Sequence, residues 1–259
     1  MSGYPTGSRS RRWRLDINDL QGSAEWQIVG RQGDGARLAG FLIGEDEVER
    51  MPVGERDRLL AQVYEELFGR RILASRRCGH CDEPYDLDFV LADVVAAVAA
   101  TPQPPEVHRV RDDGRAELAS GHVLSAPTHA DENAVADLTL EDAEAELLER
   151  CIDRSSAHGP LDPETAAAVL EWLSPVVDLD LLGTCPECGV AETTRFSLEH
   201  YLVRALAQER TQLLREVHLL AATYGWSRGA VLELARRDRR HLAALVEAER
   251  NAWRLGSRT

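Results

Sequence analysis

Lysine is absent from this 259-residue chain: all 30 basic residues are arginine, set against 44 acidic ones. The skew, together with abundant alanine, reflects a GC-rich coding bias rather than a set of anion sites. The net charge of −14 argues against a general nucleic-acid binder, which needs a basic surface to neutralise phosphates. Aromatic residues make up only 5% of the chain, so no stacking platform for single strands stands out. No apolar run approaches the roughly 20 residues that span a bilayer, which excludes a helical integral membrane protein and leaves no membrane partner. No apolar stretch follows the arginines of MSGYPTGSRSRRWRLD, so a secretory signal is not expected and a cytoplasmic location is. Five cysteines in such a chain do not make a disulfide scaffold.

What is present is ordinary globular composition, 44% apolar and 29% charged, in a length that suits one large domain or two modest ones. Four of the five cysteines are grouped, Cys78 with Cys81 and Cys185 with Cys188, and only Cys151 stands alone. Residues 1–26 read as a flexible arginine-bearing arm. A first knuckle unit spans 27–100. Within it GERDRLLAQVYEELFG has Leu59, Leu60, Val63, Tyr64 and Leu67 at helical spacing, closed by Gly69. After Cys81, Tyr85, Leu87 and Phe89 alternate with Asp86 and Asp88 as a strand does. Residues 101–135 read as a linker with a hairpin, Asp112, Asp113 and Gly114 turning between VHRVR and RAELA.

Residues 136–259 read as a second knuckle unit with C-terminal helices. The segment from Asp131 to Glu149 holds eight acidic residues and no basic ones. Thr139 and Asp142 form a cap, and Leu140, Leu147, Leu148 and Ile152 a helix stripe. Asp162 and Pro163 open another helix. From Ser197 the apolar positions Leu198, Leu202, Leu206, Leu213, Val217, Leu220 and Tyr224 predict a long helix ended by Gly225. Ser227 caps a short successor, and Leu242, Leu245, Val246 and Trp253 mark a last helix. His218 reads as a packing residue, Cys151 as a small core residue. Residues 228–259 carry eight arginines against four acids, which suits electrostatic docking, packing between segments, or plain solvated faces.

The two cysteine segments echo each other. Cys81 precedes Phe89 by eight residues, as Cys188 precedes Phe196, and Leu91 and Ala100 match Leu198 and Ala207 at the same offset of 107. The fold class expected is therefore α+β and mostly helical: duplicated helix–zinc-knuckle–strand/helix units joined through a four-cysteine zinc site, with a C-terminal helical segment. Two Cys-x-x-Cys knuckles supply the four thiolates of a closed tetrahedral site, so Cys78, Cys81, Cys185 and Cys188 are the candidate ligands of a structural zinc ion. CPECG is the stronger knuckle, because Asp82 stands in CGHCD where a glycine would permit the tight turn. With 103 residues between Cys81 and Cys185, one shared site requires the two units to pack face to face. A metal-free remnant of a zinc ribbon is one alternative. Redox chemistry at CGHC is another, although it wants the first cysteine at a helix N-terminus. Arg76 and Arg77 favour thiolates in either case. His80 could replace a ligand or simply face solvent. No Ser-His-Asp order, phosphate loop or zincin helix is present, and the acidic pairs are too numerous to single out. No enzyme, catalytic residue or organic cofactor is expected.

The segment LLGTCPECGVAETTRFSLEHYLVRALAQERTQLLREVHLLAATYGWSRGAVLELARRDRRHLAALV resembles the T-even-type baseplate hub assembly chaperone family of contractile phage tails and extracellular contractile injection systems. The likeness rests on CPECG, Phe196, LLREVHLLAATYGWS at 213–227 and RRDRRHL at 236–242. The stretch PVGERDRLLAQVYEELFGRRILASRRCGHC is similar to the family's first half, so the resemblance covers residues 50–100 and 145–247. The chain departs from the family pattern in its basic arm, its acidic middle, and Tyr201 in place of a phenylalanine–tryptophan pair. The resemblance implies a non-enzymatic assembly chaperone whose partners are baseplate or hub proteins of a contractile tail. A structural component of the hub is the first alternative, and a zinc-dependent nucleic-acid-binding regulator the second.

Overall fold

Turn and cap chemistry fixes several element ends in the computed structural model, which describes residues 21–30, 35–156 and 159–256. Helices α1 (Gly22–Gly30), α2 (Gly35–Ile43), α3 (Glu45–Glu49) and α4 (Val53–Phe68) lead to an antiparallel hairpin of β1 (Arg71–Arg77) and β2 (Pro84–Val90), then α5 (Leu91–Ala99). A three-stranded sheet, β3 (Val107–Val110), β4 (Ala116–Leu118) and β5 (Val123–Leu124), precedes α6 (His129–Val135), α7 (Leu140–Cys151) and α8 (Pro163–Leu173). A second hairpin, β6 (Asp178–Thr184) and β7 (Ala191–Ser197), continues into α9 (Leu198–Tyr224), α10 (Arg228–Leu232) and α11 (Arg236–Gly256). The fold is α+β and mostly helical, as expected. Gly69 ends α4 with φ +90°, and Gly225 ends α9 with φ +69°. Thr139, Asp162 and Ser227 cap α7, α8 and α10 by accepting from the backbone N–H three residues on. The hairpin read around Asp112–Gly114 is β3–β4.

The chain divides into two units, Ala39–Glu199 and a second formed by the described residues of 21–38 and 200–256. The boundaries therefore differ from those expected at 26, 100 and 135. Residues 1–20 of the expected arm lie outside the described residues, but Gly22–Trp26 already belong to α1. Both knuckles and the 101–135 segment share the first unit, whereas the helices beyond Glu199 leave it.

In the first unit the duplication keeps its register throughout. Adding 107 to Arg71–Arg77 gives Asp178–Thr184, and adding it to Pro84–Val90 gives Ala191–Ser197. The pair Ile72 and Phe89 becomes Leu179 and Phe196, and Arg71 with Val90 becomes Asp178 with Ser197. Neither β1 nor β6 is evident from the sequence pattern, because apolar neighbours fall on opposite faces: Leu73 beside Ile72 and Leu182 beside Leu181 are exposed. The N-terminus of α4 reaches the approach to the second hairpin: the Gly54 N–H donates to Ser174 Oγ at 2.8 Å and the Asp57 carboxylate accepts from the Val177 N–H at 2.7 Å. A Cβ at Gly54 would lie 2.6 Å from the Pro175 carbonyl oxygen, so glycine is needed for this approach. A separate apolar core under the three-stranded sheet gathers Val107, Leu118, Leu124, Cys151, Val169 and Trp172. Leu140, expected in the α7 stripe, is 78% exposed because it sits in the first turn, ahead of the residues that meet this core.

The second unit is built differently. Its stripe of Leu202, Leu206, Leu213 and Leu220 is buried, but so are charges. Arg239 is wholly buried and its guanidinium is paired with Glu25 and with Glu216, the latter at 2.8 Å. Arg236 joins Glu25 at 3.1 Å and Glu209 at 2.9 Å. Burial raises the Glu25 pKa while Arg239 opposes it. The guanidiniums of Arg210 and Arg228 both lie over the Trp26 ring, 5.1 and 4.8 Å from its centroid. Glu25 and Trp26 thus make α1 part of this unit rather than an arm. Two arginines of RRDRR, Arg236 and Arg239, are internal, neither docking nor solvated. His218, expected to pack, is exposed, as is Trp253.

Removing one partner of such a network leaves buried charge unpaired. Arg239→Met is expected to lower stability by about 3–5 kcal/mol, read from the midpoint of urea unfolding followed by circular dichroism. An exposed control, Arg237→Met, is expected to change it by less than about 0.5 kcal/mol.

Candidate metal centre

Each knuckle is the turn of a hairpin. Cys78 follows β1 and Cys81 lies in the turn to β2, while Cys185 and Cys188 hold the same places between β6 and β7. The backbone bonds repeat at the offset of the strands: the Cys78 N–H donates to the Glu83 carbonyl as that of Cys185 donates to Val190, both at 3.0 Å. The Asp82 N–H donates to the Cys78 carbonyl at 3.0 Å as that of Gly189 donates to Cys185 at 2.9 Å. Closing this turn puts Gly189 at φ +72° and Asp82 at φ +58°. Asp82 is the one non-glycine with positive φ among the described residues, and Arg77 donates to its carbonyl oxygen at 2.8 Å.

The two hairpins meet with their knuckles interleaved. Cys78 Sγ lies 3.7 Å from Cys188 Sγ and Cys81 Sγ 3.8 Å from Cys185 Sγ, and all four sulfurs fall within 4.8 Å of one another. Exchanging the repeats turns the first pair into the second. Phe89 packs edge-on against its own equivalent, Phe196, with centroids 5.1 Å apart. The arrangement is a local pseudo-two-fold, isologous as in a symmetric dimer. Cys78 and Cys185 are buried, whereas Cys81 and Cys188 lie nearer the surface.

These sulfurs fit a metal ion. A tetrahedral centre with metal–sulfur bonds of about 2.3 Å spaces its sulfurs about 3.8 Å apart. The observed separations are far beyond a disulfide bond of about 2.05 Å. Backbone N–H groups of Cys188 and Glu187 bring the Cys185 thiol down to about 7 against the effect of burial. Those of Cys81 and His80 act likewise on Cys78, but burial and the neighbouring sulfurs hold that thiol at about 12. Thiolates this close together repel one another, so a bound cation would favour the ligating form, and backbone donors already face the Cys78 and Cys185 sulfurs. Cys151 stands apart in the other core, its thiol pushed up to about 12 by burial.

The structure brings together all four cysteines singled out in the sequence. It leaves His80 exposed, beside the quartet but outside it. The turn position of Cys78 removes the helix N-terminus that redox chemistry at CGHC would need. One contributor escaped sequence reasoning. Glu192, on β7, accepts the Gly79 N–H at 2.5 Å and the Tyr85 O–H at 3.0 Å, and its Oε1 lies 3.4 Å from Cys78 Sγ. The Gly79 N–H and then the Tyr85 hydroxyl hold the Glu192 pKa down, and the carboxylate in turn pushes the Tyr85 pKa up. Only its equivalence to Tyr85 at the offset of 107 could have marked it. Among the described residues no helix is long and apolar enough to cross a membrane. Comparison with protein-family models, with curated proteins and with solved structures found no match to the chain.

Two outcomes are expected. Mass spectrometry under native conditions should find one divalent metal ion per chain, lost on replacing any one of the four cysteines by serine, whereas Cys151→Ser keeps it. Asp82→Gly relieves a left-handed residue and should stabilise the metal-loaded chain by about 0.5–1 kcal/mol, visible as a higher thermal midpoint.

Proposed function

We propose that the protein is a zinc-clamped, non-enzymatic assembly chaperone for the baseplate or hub of a contractile phage tail or related injection system. The observation that carries the clamped, non-enzymatic part of this reading is the closed quartet. Around an ion, these four sulfurs would fill a tetrahedral shell and leave no position open for substrate, which is the signature of a structural rather than a catalytic ion. Zinc is the ion that an all-thiolate tetrahedron suits best besides iron. It would be held by Cys78, Cys81, Cys185 and Cys188, and its chemistry there is to cross-link two hairpins. The residues themselves exclude water from one side of the cluster, through Tyr85 and Leu87, and aim backbone donors at the sulfurs.

The baseplate assignment is supported by the likeness at 185–242 to the hub assembly chaperones. A nucleic-acid regulator is disfavoured by the same segment, because Arg236 and Arg239 of its basic run are neutralised inside the protein. Deleting the gene should abolish sheathed particles while leaving tail-subunit transcripts intact; normal particles would overturn the proposal. Quantitative mass spectrometry of purified particles should find the chain absent or substoichiometric, whereas full occupancy would make it a structural hub component.

A further inference from the structure

The two knuckles are equivalent in backbone but not in sequence, and two of the differences meet across the pseudo-two-fold. Gly79 corresponds to Pro186 and Tyr85 to Glu192. Across the pseudo-two-fold, residue 192 meets residue 85 through the Tyr85 hydroxyl and meets the first knuckle through the Gly79 N–H. Symmetry would bring residue 85 to Pro186 in the same way, but proline has no N–H to offer. A carboxylate at 85 would therefore find no backbone donor in the second knuckle, while one at 192 finds the Gly79 N–H as well as the Tyr85 hydroxyl. Two tyrosines would leave the Gly79 N–H unmet, and two glutamates would place like charges together beside the sulfurs. Gly79 also makes room, since a Cβ there would come 3.1 Å from Glu192 Oε1.

We infer that Glu192 is a positioning residue of the metal centre, fastening the second hairpin to the backbone of the first knuckle, and that Gly79/Glu192 against Pro186/Tyr85 is one matched asymmetric lock. Glu192 touches no metal in this role. It fixes where Cys78 stands relative to Cys188 by tying Gly79, the residue after Cys78, to β7. The inference rests on the metal reading of the four cysteines and assigns a task to a fifth side chain.

The test uses the full-length chain, with zinc affinity measured by competition against a chromophoric chelator and sulfur ligation followed by the cobalt(II) charge-transfer band. Outer-shell partners of this kind are worth about 10–100-fold in affinity, so Glu192→Leu and Gly79→Pro should each weaken zinc binding at least about tenfold. Glu192→Gln still offers an acceptor oxygen and should stay within about threefold of the wild type. Because both changes break the same bond, the double variant should bind within about threefold of the weaker single variant. Gly79→Ala keeps the N–H while crowding the carboxylate, and should fall between wild type and Gly79→Pro. Multiplicative losses in the double variant, or an unchanged affinity in Glu192→Leu, would overturn the assignment. A wild-type chain that gives no cobalt–thiolate band would instead remove the metal centre itself, a result readable before any variant is made.

Discussion

Convergence of four sulfurs from two distant hairpins is the constraint on which the first unit depends. A two-stranded hairpin is marginal alone in water, because it lacks a face large enough to bury. Here each hairpin contributes little apolar mass to their meeting point. Cys78, Tyr85 and Cys185 are its buried members, with Cys81 and Leu87 against them. A cation bound by four thiolates can replace the missing core, since its binding free energy becomes folding free energy. The symmetry follows from the same requirement. Each knuckle presents one buried and one outer sulfur, and only a face-to-face arrangement places the buried sulfur of one beside the outer sulfur of the other.

The second unit answers a similar shortage with charge. Arginine is suited to this because its planar fork serves two carboxylates at once, as Arg239 serves Glu25 and Glu216. The gain lies in specificity more than in raw stability: an apolar helix could slide along Leu206 and Leu213, but Glu25 accepts its two guanidiniums in one register. Gly22 supports that register, since a Cβ there would stand 2.6 Å from Arg239 Nη1.

Much of this was legible in the sequence where short-range chemistry decides. The cysteine spacing, the offset of 107, the caps at Thr139, Asp162 and Ser227, and the turn at Gly114 all stand as read. What stayed hidden depends on distant partners. ILASRR and DLDLLGT each set an exposed leucine, Leu73 or Leu182, beside an inward apolar residue, which blurs the alternation, and they become strands because β2 and β7 pair with them. Arg236, Arg239 and Glu25 look like solvent residues until three helices surround them. Glu192 sits among AETTR as an ordinary strand acid, and its role exists only once the first knuckle is beside it. Leu140 and His218 were likewise misplaced, because Leu140 stands in the first turn of α7 and His218 falls on the outer face of α9.

Order of synthesis gives the interleaved quartet a temporal side. Ribosomes add about 5–20 residues per second, so the 103 residues between the knuckles keep Cys78 and Cys81 waiting for several seconds with half a coordination shell. During that interval the three-stranded sheet and its helices, which need neither knuckle, have time to fold. The quartet can assemble only once Cys185 and Cys188 have been made, so any ion it holds would join an early hairpin to a late one across the intervening sheet and helices.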